Sequence, residues 1–121
     1  MSGLKLVLVE SPYAGNIERN IRYAQAALRD CLQRGEAPFA SHLLYTQPNV
    51  LSDLLPEERA LGIKAGLEWG KKAEKTVVYL DLGVSKGMQF GIDAARAAGR
   101  PVEERRLPGW AEVGEQGELT L

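Results

Sequence analysis

Two turns made of small and polar residues are the parts of this sequence best suited to hold an anion. Each follows an apolar run and leads into a helical pattern, one at residues 11–16 and the other at residues 83–89. Free backbone amides and the helix dipole at such a position favour a phosphate or a carboxylate. Taken singly, each turn also fits a tight turn with a capped helix. The residues predicted to contact a ligand here are Ser11, Tyr13, Gly15, Asn16, Ser85, Gly87, Met88 and Gln89.

Two further polar residues, His42 and Asp81, close apolar runs and are predicted to contact the same ligand. His42 can bind the ligand or act as an acid or base, and a hydrogen-bonded structural role is the alternative. Asp81 can bind a sugar hydroxyl or cap the turn that follows it. Since the chain has one histidine and one cysteine, it offers no set of such ligands to a metal. We therefore expect neither a metal nor another cofactor.

The composition bounds the kind of protein and its partners. A chain of 121 residues with 45% hydrophobic and 26% charged residues predicts one globular domain, residues 1–121. The net charge of −1 gives no general attraction to nucleic acid or to a membrane surface, so neither partner is expected. No apolar run approaches the roughly 20 residues of a membrane span, and no signal-peptide layout is present. The lone Cys31 cannot form an internal disulfide, so a cytoplasmic location is expected.

Hydrophobic periodicity predicts the elements that hold these turns. Short runs rich in Val and Leu indicate strands at residues 4–9, 37–44, 76–80 and 101–105, the last one more polar and nearer an edge. Apolar residues at three- and four-residue spacing indicate helices at residues 16–34, 56–72 and 88–98. This alternation predicts an α/β fold with a parallel sheet and helices on both faces. Ligands bind such sheets at the carboxyl ends of the strands, where both turns lie.

Three further segments have predicted roles in this sequence. The loop at residues 46–55 is long and rather apolar, which predicts a lid or a contact between subunits. Trp110 is expected to dock on the body of the protein or on a partner, and residues 118–121 are expected to add a short strand.

The order of these pieces resembles the nucleoside 2-deoxyribosyltransferase-like superfamily, which includes the deoxynucleoside monophosphate N-glycosidases. The resemblance covers residues 4–102, and its motifs are Ser-Pro-Tyr-Ala-Gly at 11–15, Ser-His at 41–42, Leu-Glu-Trp at 67–69, Ser-Lys-Gly-Met at 85–88 and Gly-Arg-Pro-Val at 99–102. It implies a flavodoxin-like three-layer sandwich with a mostly parallel sheet of four or five strands. It also implies a homo-oligomer with a nucleotide or nucleoside ligand. Residues 36–45 and 56–60 further resemble small proteins of phages and prophages.

The sequence departs from this family at the residues that react. The resemblance places the family's nucleophilic glutamate at Gln89, or at Gly91 if the alignment shifts by two, and its sugar-positioning aspartate at Gly66. An amide or a glycine cannot attack an anomeric carbon. The carboxylates left near strand ends are Glu10 and Asp81.

These departures favour a homo-oligomeric nucleotide- or nucleoside-binding protein whose catalysis is altered or absent. The phage resemblance indicates sequestration of a nucleotide signal that is used in host defence. Two alternatives stay open. One is an N-glycosidase or deoxyribosyltransferase whose carboxylate has moved to Glu10 or Asp81. The other is an assembly or inhibitor module that has no small ligand.

Overall fold

A computed structural model describes residues 3–110, and within them strands and helices alternate as predicted. The strands are β1 (Lys5–Glu10), β2 (Glu36–Phe39), β3 (Lys75–Tyr79) and β4 (Val102–Arg105). The helices are α1 (Ile17–Gln33), α2 (Ser41–Leu44), α3 (Pro56–Gly70) and α4 (Lys86–Ala97). The strand predicted at residues 118–121 lies outside the described residues. None of the helices within residues 3–110 is long and apolar enough to cross a membrane.

The four strands form one sheet in the order β2-β1-β3-β4, and every neighbouring pair is parallel. This is the strand order of flavodoxin-like folds, so the predicted α/β class is confirmed. β4 lies at an edge, as its polar sequence indicates. In the register of β1 with β3, Val9 pairs with Val77 and Glu10 pairs with Val78. The carboxyl ends of these two central strands therefore lie side by side.

The side chains of β1 alternate between two faces of the sheet, and a core forms on each face. Val7 and Val9 are buried in a cluster with Tyr23 and Cys31 of α1. On the opposite face, Leu8 is close to Gly70 of α3. Helices on both faces bury residues 7–9 of β1 and 76–79 of β3, which explains the apolar runs there. Cys31 is thus a buried small hydrophobe, as expected.

Three residues fix the ends of α1 and the position of the segment after β4. The Asn16 side chain caps α1 by accepting a hydrogen bond from the backbone N–H of Arg19 at 3.2 Å. α1 ends before Gly35, whose φ of +81° is in the left-handed region that glycine favours. Trp110 is buried and packs edge-on against Tyr23, with ring centroids 4.8 Å apart. Trp110 therefore docks on the body of the protein.

The second strand is shorter than predicted, which changes the setting of His42. β2 ends at Phe39, and residues 41–44 form the short helix α2 instead of continuing the strand. The chain turns because the backbone N–H groups of Leu43 and Leu44 both donate to the carbonyl of Ala40. The prediction that His42 ends a strand is therefore wrong. It lies on a helical turn beyond the strand.

Candidate functional site

A cavity of about 320 Å³ opens at the carboxyl edge of the sheet. Its walls are the end of β1 with the turn that follows, α2, the loop before α3, one side of α3 and the first turns of α4. The volume is at the lower end of the range typical of small-molecule sites. The cavity therefore has room for a ligand of small-molecule size.

The two predicted anion-binding turns meet in this cavity. Ser11 and Tyr13 line it from the first turn, and Ser85, Gly87 and Met88 line it from the second. They meet because β1 and β3 are adjacent and parallel, so the segments that follow both strands leave the sheet at one edge. His42 lines the cavity as well, from α2. The structure thus brings six of the predicted site residues together.

Three other predicted site residues belong to the same turns but do not line the cavity. Gly15 has a φ of +99°, which shapes the turn, and the Asn16 side chain is engaged in capping α1. Gln89 lies on the exposed side of α4, where its amide donates a hydrogen bond to the Asp93 carboxylate at 2.9 Å. Gly15 thus shapes a turn, Asn16 caps a helix, and Gln89 lies on a helix surface outside the cavity.

Asp81 also lies away from the cavity and takes part in a different set of contacts. Its carboxylate accepts a hydrogen bond from the Tyr23 hydroxyl at 2.6 Å and another from the backbone N–H of Leu107 at 2.9 Å. These bonds tie the end of β3 to α1 and to the segment after β4. Asp81 therefore joins elements on the face of the sheet opposite to the cavity.

Ser11 and His42 form a hydrogen-bonded pair in the wall of the cavity. The Ser11 hydroxyl and Nε2 of His42 are 2.7 Å apart. Burial lowers the pKa of His42 to about 4, so the imidazole is neutral at pH 7. Pro12 follows Ser11 and has no N–H, so it cannot supply the backbone donor that acyl-transfer sites place beside a nucleophilic serine. The pair is suited to hydrogen-bonding a ligand.

Glu10 is a functional candidate that the sequence offered only as a substitute carboxylate. It is the last residue of β1, and its side chain lines the cavity. Burial raises its pKa to about 8, although the positive charge of Arg100 acts in the opposite direction. Glu10 is thus a carboxylic acid that keeps its proton at neutral pH. The available signal was an acidic residue that directly follows four apolar residues, Leu6 to Val9, in β1.

The resemblance aligns Gly91, as the alternative to Gln89, with the family's nucleophilic glutamate, and Gly66 with its sugar-positioning aspartate, and both glycines leave room for side chains of other elements. A Cβ added at Gly91 would lie 2.5 Å from Cδ of Glu10, much closer than real Cβ contacts allow. A Cβ added at Gly66 would lie 2.6 Å from the Ser41 hydroxyl oxygen. Glu10 and Ser41 both line the cavity. The space that a side chain at either glycine would enter is therefore occupied by a polar group from another part of the fold.

The rim of the cavity carries charged residues that were not predicted to contact the ligand. Arg59 and Lys86 supply positive charge, from α3 and from the start of α4. Asp53 lies 3.8 Å from the Arg59 guanidinium, and the Glu58 carboxylate accepts a hydrogen bond from the backbone N–H of Ser52 at 2.7 Å. The last two contacts hold the loop at residues 46–55 against α3. Asp53, Glu58 and Arg59 are distant from the two turns in the sequence and come near them only in the folded chain.

Comparison with known proteins gives one family and a structural neighbour. A family model described as a domain of unknown function, DUF7768, matches residues 5–105. The solved structure of a 2-deoxyribosyltransferase from the psychrotolerant bacterium Bacillus psychrosaccharolyticus is similar, with a TM-score of 0.60 and 23% sequence identity. The similarity covers 84% of this chain and 72% of that one, and at this identity it establishes the fold. No curated protein matches the chain significantly.

Proposed function

Since the chain belongs to the DUF7768 family, whose description assigns no function, we propose one from the cavity: it binds a nucleotide or a nucleoside. The observation that carries this proposal is the meeting of two helix-initiating turns in one cavity at the carboxyl edge of a parallel sheet. The fold adds support, because the structural neighbour is a 2-deoxyribosyltransferase described as a biocatalyst for nucleoside synthesis.

The start of α4 is the part of the cavity that suits a phosphate. The N-terminus of α4 presents free backbone amides beside the Lys86 side chain, and both attract an anion. Arg59 reaches the same place from α3, since a Cβ at Gly87 would lie 3.8 Å from one of its guanidinium nitrogens. A guanidinium can bind two phosphate oxygens at once. In this proposal the phosphate lies between α3 and α4, and the nucleoside points towards Ser11.

Calorimetric titration with nucleosides, nucleoside monophosphates and cyclic nucleotides tests this proposal. We expect binding by at least one of these classes. Replacing Arg59 with Met should weaken binding of a phosphorylated ligand about tenfold or more, because a charge-assisted contact is lost, and should affect the matching nucleoside less. Arg29→Met, on an exposed position of α1, is the matched control. Failure of every class to bind would overturn the proposal and favour the module without a small ligand.

The biological purpose proposed for this binding is sequestration. It is the role that the phage resemblance indicates, in which the protein acts in the host cytoplasm and removes a nucleotide signal of host defence. The proposed ligand is a small molecule rather than nucleic acid, in keeping with the net charge of −1. Expression in a host whose defence depends on such a signal should raise phage plating. A cavity variant that no longer binds the nucleotide should not.

A homo-oligomer is the proposed state of assembly, with the loop before α3 at the contact. Leu54 is 88% exposed, and Val50 and Leu55 nearby are also exposed. Apolar surface of this kind gains about 25 cal/mol per Å² when a partner covers it. Light scattering at micromolar concentration should give a mass above 13.2 kDa, and Leu54→Ser should reduce it. A monomeric mass for the unmodified protein would contradict this state.

Cleavage or exchange of the bond between base and sugar is a second candidate function. The observation that favours it is the acidic side chain of Glu10 inside the cavity. Binding a ligand does not require such a group, since Ser11, His42 and the helix amides already supply hydrogen bonds. Release of free base from a bound nucleoside or nucleotide is the measurement that separates this function from binding alone.

A further inference from the structure

We propose that Asn20 is a positioning residue of the candidate site: its buried side chain holds the turn at residues 11–15 in the shape that contacts the nucleoside part of the ligand. The inference rests on the proposed binding function and goes beyond it, because Asn20 does not itself line the cavity. It is carried by the burial of Asn20, by its hydrogen bonds to two consecutive carbonyl groups, and by the direction in which those bonds hold the turn.

Asn20 is a polar residue that α1 buries almost completely, with an exposed fraction of 1%. Burial of an amide group is costly unless its polar atoms find hydrogen-bond partners. Both atoms of this amide do, since the nitrogen donates to two carbonyl groups and the oxygen accepts from the Arg19 guanidinium at 3.2 Å. An apolar residue would fill the same helix position without any such requirement. The amide therefore indicates a task that needs hydrogen bonds.

The amide nitrogen of Asn20 is bonded to two consecutive residues of the turn. It donates one hydrogen bond to the carbonyl of Tyr13 at 2.8 Å and another to the carbonyl of Ala14 at 3.1 Å. Both of these residues line the cavity. At the start of the turn, the Ser11 hydroxyl is hydrogen-bonded to His42. The turn is therefore anchored at one end by α2 and at the other by α1.

The direction of the two Asn20 bonds determines what the turn offers to a ligand. In a trans peptide unit the carbonyl oxygen and the N–H point to opposite sides. The carbonyl groups of Tyr13 and Ala14 point towards Asn20. The N–H groups of the same peptide units, which belong to Ala14 and Gly15, therefore point away from α1. Two neighbouring donors held in this way, in the same turn as the Ser11 hydroxyl, suit the oxygen atoms of a sugar or the acceptor atoms of a base.

The turn needs such an anchor because its second half has little else to fix it. Ala14 and Gly15 are exposed, and Gly15 has a φ of +99°, in a region that glycine enters readily. A turn free to adopt several shapes would have to be ordered by the ligand, and the entropy lost in this step would weaken binding. Asn20 orders the turn before the ligand arrives.

The test separates a change in the site from a loss of folded protein. Calorimetric titration with a nucleoside and with its monophosphate gives both the Kd and the number of binding sites per chain. Asn20→Asp keeps the size of the side chain but places an oxygen where the donating nitrogen faced the two carbonyl groups. At about pH 7.5 this variant should raise the Kd for both ligands about tenfold or more, with the number of sites unchanged. Arg59→Met, in contrast, should mainly affect the monophosphate.

Arg105→Met is the matched control, because it breaks a buried hydrogen-bonded pair outside the cavity. It should lower the urea midpoint and leave the Kd within about twofold of the unmodified value. Asn20→Ser removes the two bonds without adding a charge, so it serves where Asn20→Asp does not fold. At about pH 5.5 a protonated carboxyl group at position 20 can donate one of the two bonds. The Kd of Asn20→Asp, relative to the unmodified protein, should therefore recover in part, and that of Asn20→Ser should not.

Three outcomes would contradict the inference. An unchanged Kd in both Asn20→Asp and Asn20→Ser would overturn the role of Asn20 and leave the proposed binding function intact. An equal rise of the Kd in Arg105→Met would do the same, because the loss would then follow stability rather than the turn. Failure of every nucleoside and nucleotide to bind the unmodified protein would overturn the binding function and this inference together.

Discussion

The carboxyl group of Glu10 occupies the space in which a side chain at Gly91 would begin. A Cβ at position 91 would lie 2.5 Å from Cδ of Glu10 and 2.9 Å from one of its oxygens. Glu10 ends a strand and Gly91 lies inside α4, so two distant parts of the sequence compete for one place in the cavity. It follows that the two residues are coupled: a larger residue at position 91 requires the Glu10 side chain to move or to be smaller.

A double-mutant cycle on this pair measures the coupling. Gly91→Ala alone should destabilise the protein by no more than about 1 kcal/mol, because the methyl group meets the far end of the flexible Glu10 side chain, which has to move aside. In a Glu10→Ala background the clash is gone, and Ala at position 91 should be neutral or stabilising by up to about 1 kcal/mol, since alanine favours helix over glycine. Urea unfolding of the four proteins gives both values. Equal effects of Gly91→Ala in the two backgrounds would contradict the contact.

Two glycines of α3 provide an internal comparison of the same kind. Gly66→Ala should destabilise the protein by about 1–3 kcal/mol, because the methyl group would lie 2.6 Å from the Ser41 hydroxyl oxygen. In Gly62→Ala the new methyl group would lie 3.4 Å from a methyl carbon of Leu51, which is an ordinary contact. This substitution should therefore be neutral or slightly stabilising. The urea midpoints of the two variants test whether Gly66→Ala lowers the stability more than Gly62→Ala does. A destabilisation of Gly62→Ala as large as that of Gly66→Ala would show that α3 tolerates no added methyl group, whatever its neighbours.

The sequence predicted the fold well because its signals are local or strongly constrained. β1 and β3 are short and apolar, which is typical of strands that are covered on both faces. Because these strands alternate with amphipathic helices, the sequence predicts a parallel sheet. The error at β2 has a local cause. Residues 41–44 are apolar enough for a strand, but backbone hydrogen bonds to Ala40 turn them into α2.

The site was predictable only where strand ends determine it. The meeting of the turns that contain Ser11 and Ser85 follows from the sheet, whereas Arg59 has the pattern of an exposed helix residue and gives no signal of its own. The contact between Glu10 and Gly91 was not predictable either. A glycine carries no side chain whose pattern could indicate that another residue fills its place.

A buried ion pair between the two edge strands is a further feature that the sequence did not indicate. The Arg105 guanidinium donates hydrogen bonds to both oxygens of the Glu36 carboxylate, at 2.8 and 2.6 Å. Removing one partner leaves the other charge buried with only a more exposed partner, Lys75 for Glu36 or Glu103 for Arg105, so Arg105→Met or Glu36→Gln should destabilise the protein by up to about 3–5 kcal/mol. Glu103→Gln removes a partner that is 41% exposed and should cost less. Denaturant unfolding measures all three, and equal costs would contradict the role of burial.

The pH dependence of His42 is open to direct measurement, because it is the only histidine in the chain. Burial lowers its pKa to about 4 in the folded protein, against an ordinary value of 6.5. The unfolded chain therefore takes up this proton first as the pH falls. The stability linked to His42 is fully present above pH 6.5 and is lost between pH 6.5 and 4. NMR titration of the ring should give a value below 5, and a value near 6.5 would contradict its burial.

Glu10 should lower the stability of the protein at neutral pH, in the way expected of a residue kept for function. Its pKa is raised from 4.5 to about 8 in the folded protein, so the native state holds a proton that the unfolded chain releases. The stability linked to this proton is fully present below pH 4.5 and is lost as the pH rises to 8. Glu10→Gln should therefore be more stable than the unmodified protein by about 3 kcal/mol at pH 7, and by almost nothing near pH 4.

Urea unfolding of both proteins between pH 4 and 8 gives this difference at each pH, and the contribution of His42 cancels because both contain it. Glu104→Gln, on an exposed position of β4, is the matched control and should show no such trend. A Glu10→Gln variant that is less stable at pH 7 would mean that the carboxylate is paired in the native state, and the second candidate function would lose the acidic group that favours it.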